Sequence, residues 1–222
     1  MTPQAPALDA LARALAGLRP GHTARVAVDG RTAAGKTTLA DALGAAVQAL
    51  GRPVIRAGLD GFHHPRARRY RQGRFSARGY YEDARDLDAL RRLLLDPLGP
   101  QGDGRFRLES FDLEADRPVS APVMTAPPGA ILILDGSFLQ RRELGPCWEA
   151  VVFVDVSEAV AAARAAARDG DGAHRLYAER YGPAFGLYEA EADPAQTADA
   201  VWNNEDPGAP RLHIRANGRL GA

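Results

Sequence analysis

Apolar residues follow two rhythms along this chain, and the way the rhythms alternate predicts the fold class. Leu8, Leu11, Leu15 and Leu18 recur at spacings of three and four, which predicts an amphipathic helix over residues 7–18, closed by Pro20-Gly21. Arg25-Val-Ala-Val28 reads as a short buried strand, followed by a glycine-bounded loop at 29–35 and a helix over Thr37–Leu50 that Gly51 and Pro53 end. Val54–Ala57 is a second strand, and Asp86–Leu95 reads as helix until Asp96-Pro97 stops it. The alternation over Arg105–Phe111 predicts an exposed strand or hairpin. Ala130–Leu134 and Ala150–Val156 are runs of β-branched and aliphatic residues, as expected of strands buried on both faces. Ser157 is placed to cap a helix over 158–168, and residues 169–176 read as a charged, glycine-rich loop. Residues 177–192 read as helix with a break at Gly182-Pro183, and Ala200–Asn203 as a fifth strand.

Strands separated by helices imply an α/β fold: a three-layer arrangement around a five-stranded parallel sheet, with a small helical lid. A chain of 222 residues suits one such domain. We expect residues 1–22 to be a helix appended to the core and residues 23–222 to form the domain itself.

Charge and cysteine usage narrow the partners. The formal net charge is zero, which removes the usual electrostatic argument for nucleic acid or an anionic membrane. The apolar runs are strand-sized, so no membrane span is expected. The single cysteine, Cys147, reads as a small buried hydrophobe of a protein in a reducing, cytoplasmic setting. A homo-oligomer is left open. One count changes the picture more: of 28 basic residues only Lys36 is lysine. In a chain that uses arginine almost everywhere, the one lysine marks a place where a compact ammonium does what a planar guanidinium cannot.

Lys36 lies inside Gly30-Arg31-Thr32-Ala33-Ala34-Gly35-Lys36-Thr37, followed by Thr38, which matches the Walker A phosphate-loop pattern. Gly30 and Gly35 let successive backbone N–H groups turn inward around phosphate oxygens. The helix that follows aims its N-terminal partial positive charge at the same point. Lys36 then reaches the β- and γ-phosphates and the Thr37 hydroxyl ligates Mg²⁺. A carboxylate at the tip of a buried strand would complete the metal site, and both Asp135 and Asp155 end such strands. Asp135 is favoured, because Asp155 runs straight into a helix-capping serine.

An Asn-Lys-x-Asp guanine reader is excluded, since the only lysine is already used. With Leu59-Asp60-Gly61-Phe62-His63, Ile133-Leu134-Asp135-Gly136-Ser137-Phe138, Arg164…Arg168-Asp169 and Val201-Trp-Asn-Asn204-Glu-Asp206, the chain resembles the uridine kinase and phosphoribulokinase branch of the P-loop kinases from about Arg25 to Asp206. His63-His64-Pro65-Arg66, Arg69-Tyr70 and Asp96-Pro97-Leu98 give it the look of bacterial uridine kinase-like proteins. The resemblance implies a transferase that moves the γ-phosphoryl group of Mg·ATP to an alcohol of a small molecule. It implies that Asp60 accepts the proton of the attacking hydroxyl, and that Arg164 and Arg168 are lid arginines over the phosphates, with Arg175 and Arg180 as further lid positions. A simple capping role for Asp60, and solvated positions for the arginines, stay open.

His63, Tyr70, Arg74 and Asp112 are the expected acceptor contacts, together with Asp60. Residues 66–78 hold six arginines interleaved with Tyr70 and Phe75. That pattern suits a substrate-facing flap, a solvated loop or, less well given the neutral charge, RNA. The sequence departs from uridine kinases where those read the pyrimidine: Phe111-Asp112-Leu113 is followed by Asp116 in place of a histidine, and residues 79–82 read Gly-Tyr-Tyr-Glu. A nucleoside is the leading acceptor, with pantothenate-like alcohols and sugar phosphates as alternatives. The rival of another class is an ATP-binding regulator without turnover.

Overall fold

The computed structural model describes residues 5–221, the side chains of residues 171 and 173 excepted. Its centre is a six-stranded sheet: β1 (Ala24–Gly30), β2 (Val54–Gly58), β3 (Ile131–Asp135), β4 (Ala150–Asp155), β5 (Ala200–Asn203) and β6 (Arg211–Ile214). The spatial order is β6-β5-β4-β1-β3-β2, and only the β5–β6 pairing is antiparallel. The predicted parallel sheet of five is therefore present, with a sixth strand added at one edge.

The side chains of the central strands divide between two cores with a period of two, as strand geometry dictates. Ala27, Leu132, Leu134, Val151 and Phe153 enter one core. Val26, Val28, Ile131, Ile133, Val152 and Val154 enter the other. Helices α1 (Ala5–Ala16), α2 (Lys36–Ala49) and α4 (Glu158–Asp169) cover the second core through Leu11, Leu15, Leu39, Leu43 and Ala161. The first is covered by α3 (Ala77–Asp83), the turns at 87–95 and α6 (Gly182–Ala192), through Tyr80, Tyr81, Leu90, Leu94, Phe185 and Tyr188. Each fully buried leucine or phenylalanine here contributes about 1.5–3 kcal/mol, which makes the buried runs the main determinant of the fold.

Several local predictions are corrected. Residues 169–176 are not a loop: Gly170, at φ +77°, ends α4, and a further turn, α5 (Asp171–Leu176), begins at once. The chain does not break at Gly182-Pro183. The winding changes instead, from a π-type turn over Tyr177–Tyr181 to α from Gly182, with Pro183 in the first turn, where its missing N–H is tolerated. The helix expected over 86–95 is present from Leu87, and its winding likewise changes, from α to π at residues 91–95. The stretch 105–111 feeds two separate antiparallel ladders, Arg105–Phe106 with Met124–Thr125 and Phe111–Asp112 with Arg117–Pro118. Cys147 is buried. No helix among the described residues is long and apolar enough to cross a membrane.

Candidate active site

Parallel strands bring their C-terminal ends to one edge, and there Asp135 of β3 stands in register between Val28 of β1 and Gly58 of β2, with β1 running two residues further to Gly30. A cavity of about 840 Å³ opens above them. The phosphate loop forms its floor. Gly30 has φ +149°, and a Cβ there would stand 2.5 Å from the carbonyl oxygen of Val154, so only glycine fits. Ala33 and Gly35 also take positive φ, at 64° and 94°. The Asn204 side chain donates to the Ala34 carbonyl at 2.7 Å and braces the loop from behind. No side chain caps the N-terminus of α2, whose first N–H groups open on the cavity through Lys36, Thr37 and Thr38.

Lys36 Nζ donates to the Arg31 carbonyl at 2.8 Å. Burial pushes its pKa down to about 8, against the pull of Asp29, Asp135 and Asp60. Thr32 and Ala33 line the cavity as well, and Ala34 is buried behind the loop. Arg31 turns away: its guanidinium sits 4.3 Å from the Phe185 ring centre and faces Glu158 and Glu189.

The Thr37 hydroxyl donates to Asp135 Oδ2 at 2.6 Å. Asp135 Oδ1 faces Arg56 Nη2 at 2.7 Å, and Arg56 also pairs with Asp41. Among the described residues no group of three His, Cys, Asp or Glu side chains converges as a metal cage. A hydroxyl and one carboxylate oxygen at this spacing do fit the sparse protein contribution that Mg²⁺ takes when phosphates and water supply the rest of its shell. Asp155 is not among the lining residues; its carboxylate faces the Asn203 amide.

In the same lining, Asp60 sits in a short 3₁₀ turn after β2, with 74% of its side chain exposed. Arg85 joins it to His63. Arg85 Nη2 lies 3.2 Å from Asp60 Oδ1, and Arg85 Nη1 lies 3.2 Å from His63 Nδ1. A guanidinium can only donate, so Nδ1 carries the lone pair and Nε2 the proton, which it donates to Asp60 Oδ1 at 3.2 Å. This hydrogen bond, reinforced by Arg85, holds the Asp60 carboxyl well below the usual range. Burial and the adjacent Arg85 push His63 down to about 4. The pair is therefore a carboxylate facing a neutral imidazole.

Of the predicted lid arginines, Arg164 and Arg168 line the cavity. Arg164 donates to the Asn204 carbonyl at 2.8 Å, while Arg168 pairs with Asp169. Arg180 lines the cavity too, whereas Arg175 pairs with Glu179 and covers Phe75 outside it. His63 and Tyr70 are among the lining residues. Arg74 and Asp112 are not: Arg74 lies over Phe75, and the Asp112 carboxylate accepts the backbone N–H groups of Glu114 and Ala115 in its own turn. Asp116 is held by Arg69 at 2.7 Å. The residues that sequence reasoning passed over are Arg56, Arg85 and, as a brace for the loop, Asn204. Arg85 carried one signal, its place just after the segment where the uridine kinase pattern fails. Beside the phosphate loop a second hollow of about 260 Å³ is lined by Leu8, Leu39, Ala42, Arg164, Trp202 and Pro207 among others.

Solved structures share this architecture. A possible uridine kinase from Bacillus stearothermophilus superposes with a TM-score of 0.72 at 24% identity, over 89% of this chain and 97% of that one. A protein provisionally described as a fructose transport system kinase from Silicibacter sp. TM1040 gives 0.69 at 24% identity, over 83% and 95%. D-glycerate 3-kinase from Cryptococcus neoformans var. grubii gives 0.54 at 16% identity, over 83% and 87%. No family model matches the chain, and no curated protein matches it in sequence. At these identities the likeness establishes the fold alone.

Proposed function

We propose that this chain, with the fold of the P-loop kinases, is an ATP-dependent phosphotransferase acting on an alcohol of a small molecule. One observation carries the reading: a single cavity is lined by Lys36, by the Thr37–Asp135 pair and by an ionised aspartate, Asp60. A protein that only bound nucleotide would have no need of Asp60.

The loop N–H groups and Lys36 hold the β- and γ-phosphates, and Arg164 and Arg168 close over them. Thr37 and Asp135 Oδ2 would hold Mg²⁺, which neutralises phosphate charge when bound. The apolar hollow lined by Leu8, Leu39 and Trp202 takes the purine, and so gives α1 a part in the nucleotide site. Asp60 orients the acceptor hydroxyl and receives its proton as the oxygen bonds to the γ-phosphorus and the bond to the β-phosphate oxygen breaks, releasing ADP. A carboxylate of low basicity suits this step, because in a loose transition state the hydroxyl keeps its proton until late and orientation matters more than base strength. Arg85 and His63 fix the carboxylate in place.

Uridine is not favoured as the acceptor. Asp112 is turned into its own loop and Asp116 onto Arg69, so the segment expected to read a pyrimidine presents neither carboxylate to the cavity. The test is ADP release by the full chain with Mg·ATP over a panel of small alcohols. The expected result is turnover with at least one acceptor, lost in Lys36→Ala and Asp60→Asn. Turnover that survives Asp60→Asn at saturating substrate would remove the aspartate from the mechanism.

A further inference from the structure

Beyond Asp60 the cavity wall is a stack of cations and rings. The Arg69 guanidinium carbon lies 5.6 Å from the centre of the Tyr70 ring, and Arg85 lies 5.4 Å from that of Tyr80. Arg180 sits between them, 4.9 Å from Tyr70 and 4.7 Å from Tyr80. All five residues line the cavity. Arg180 is only 5% exposed and Arg69 only 7%.

The charges on this wall do not balance. Asp116 faces Arg69, and Asp60 faces Arg85. Arg180 donates to the Arg74 carbonyl at 2.9 Å, and no carboxylate among the described residues lies within ion-pairing distance of it. The Nε atoms of Arg69, Arg85 and Arg180 are all buried without an acceptor. A guanidinium cannot shed its proton, so a buried one without a counter-charge remains costly until an anion arrives. The tyrosine rings keep these guanidinium groups in the cavity wall instead of letting them swing to solvent.

In the proposed reaction the charge developing on the phosphates is already met by Lys36, Arg164 and Arg168. Arg85 touches the carboxylate that faces the acceptor, and Arg180 shares Tyr80 with it. The stack therefore belongs to the acceptor. We infer that the phosphoryl acceptor is an alcohol that also carries an oxyanion, either a phosphate ester or a carboxylate, held by Arg180 with help from Arg69 and Arg85 while its hydroxyl meets Asp60. This rests on the kinase reading and adds the class of substrate. A neutral nucleoside would leave Arg180 buried and unpaired.

The test uses the full chain with its nucleotide site filled by a non-hydrolysable ATP analogue and Mg²⁺, so that an added anion reports the acceptor side alone. Inorganic phosphate and glycerate are titrated calorimetrically as the phosphate and carboxylate probes. Turnover with Mg·ATP is compared in matched sets: glycerol, glycerate and glycerol 3-phosphate; fructose and its phosphate esters; and uridine. The expected result is binding of one probe, weakened about 10-fold or more in Arg180→Gln and less in Arg180→Lys. The charged members of a set should also exceed the neutral one in kcat/KM by about 100-fold, with the gap entering through KM. Which probe binds decides between ester and carboxylate. Thermal melts of Arg180→Gln with and without the nucleotide analogue identify a variant that has merely lost its fold, and the wild-type titration stands independently of it. If neither probe binds the nucleotide-loaded protein, or if uridine or another neutral alcohol is the best substrate, the inference is overturned while the kinase reading stands. If Mg·ATP itself fails to bind, both fall.

Discussion

Thr37 and Asp135 lie 98 positions apart in the chain, yet the hydroxyl of one reaches the carboxylate of the other at 2.6 Å. The contact follows from register: β1 and β3 are adjacent parallel strands, so the loop leaving one meets the acid ending the other. Asp135 Oδ1 is occupied by Arg56, which leaves Oδ2 and the Thr37 hydroxyl as the pair that the proposed Mg²⁺ would use.

Asp135→Asn should therefore raise the Mg²⁺ concentration needed for half-maximal nucleotide binding by about 10-fold or more, the usual effect of losing a group that holds or orients a metal. The measurement is a Mg²⁺ titration at fixed nucleotide. Thr37→Ser should stay close to the parent and Thr37→Val should resemble Asp135→Asn. An unchanged Mg²⁺ requirement in both Asp135→Asn and Thr37→Val would remove the pair from metal binding.

Proton uptake provides a test of Lys36. In the free protein burial pushes this group down to about 8. Phosphates placed beside it favour the charged form and raise its pKa. At pH 8–9 the free protein is partly deprotonated at Lys36 and the complex is not, so binding ATP must take up a fraction of a proton, and affinity must fall as pH climbs beyond about 8. Calorimetry in two buffers of different ionisation enthalpy reads the uptake directly. Lys36→Met should lose it along with most of the affinity. Equal heats in both buffers at pH 8.5 would place the ammonium away from the phosphates.

The contrast between what the chain announces and what it conceals has a physical basis. The buried runs at 26–28, 130–134 and 150–154 are legible because a strand covered on both faces needs every residue apolar, and the phosphate loop is legible because its backbone tolerates few sequences. Strand β6 is not, since an edge strand reading Arg-Leu-His-Ile buries none of its residues fully. The turn at 171–176 looked like loop because Gly170 and Gly172 are poor helix formers, while the one at Gly170 serves only to end α4. Arg56 and Arg85 carried no spacing signal among 27 arginines. Their roles come from the fold: the β2–β3 register sets Arg56 beside Asp135, and an isolated bridge between His63 and Arg85 folds residue 85 back onto Asp60. Asp112 shows the converse, a motif position whose side chain the local turn consumes.

His63 predicts how stability responds to acid. Its folded-state pKa is pushed from 6.5 to about 4 by burial and by Arg85. Between those values the unfolded chain binds a proton that the native protein refuses, so stability rises with pH across the window and falls as pH drops from about 6.5 toward 4. The slope for one such group approaches about 1.4 kcal/mol per pH unit in mid-window. Denaturant unfolding at pH 4.5, 5.5 and 7.5 should show His63→Gln losing less stability on acidification than the parent, because glutamine has nothing to protonate. His64 shifts in the same direction and remains in both proteins, so the difference isolates His63. Parallel curves would mean that the imidazole titrates normally.

The brace behind the phosphate loop provides the sharpest test of the backbone. Gly35 has φ +94°, and a Cβ built there would stand 2.6 Å from Asn204 Nδ2, the atom that donates to the Ala34 carbonyl. Gly35→Ala thus combines two penalties: about 1–2 kcal/mol for an alanine in left-handed backbone, and displacement of Asn204. Asn204→Ala incurs only the loss of the hydrogen bond, about 1 kcal/mol. In the double variant the collision is gone and the backbone strain stays, so its loss should be smaller than the sum of the two single losses, a coupling readable in denaturant midpoints. Nucleotide affinity should follow a different order. Gly35→Ala and the double variant should both bind poorly, since the loop N–H groups are misdirected in each, while Asn204→Ala keeps most of its affinity. Strict additivity in stability would mean that Asn204 does not brace Gly35, whatever the effect on binding.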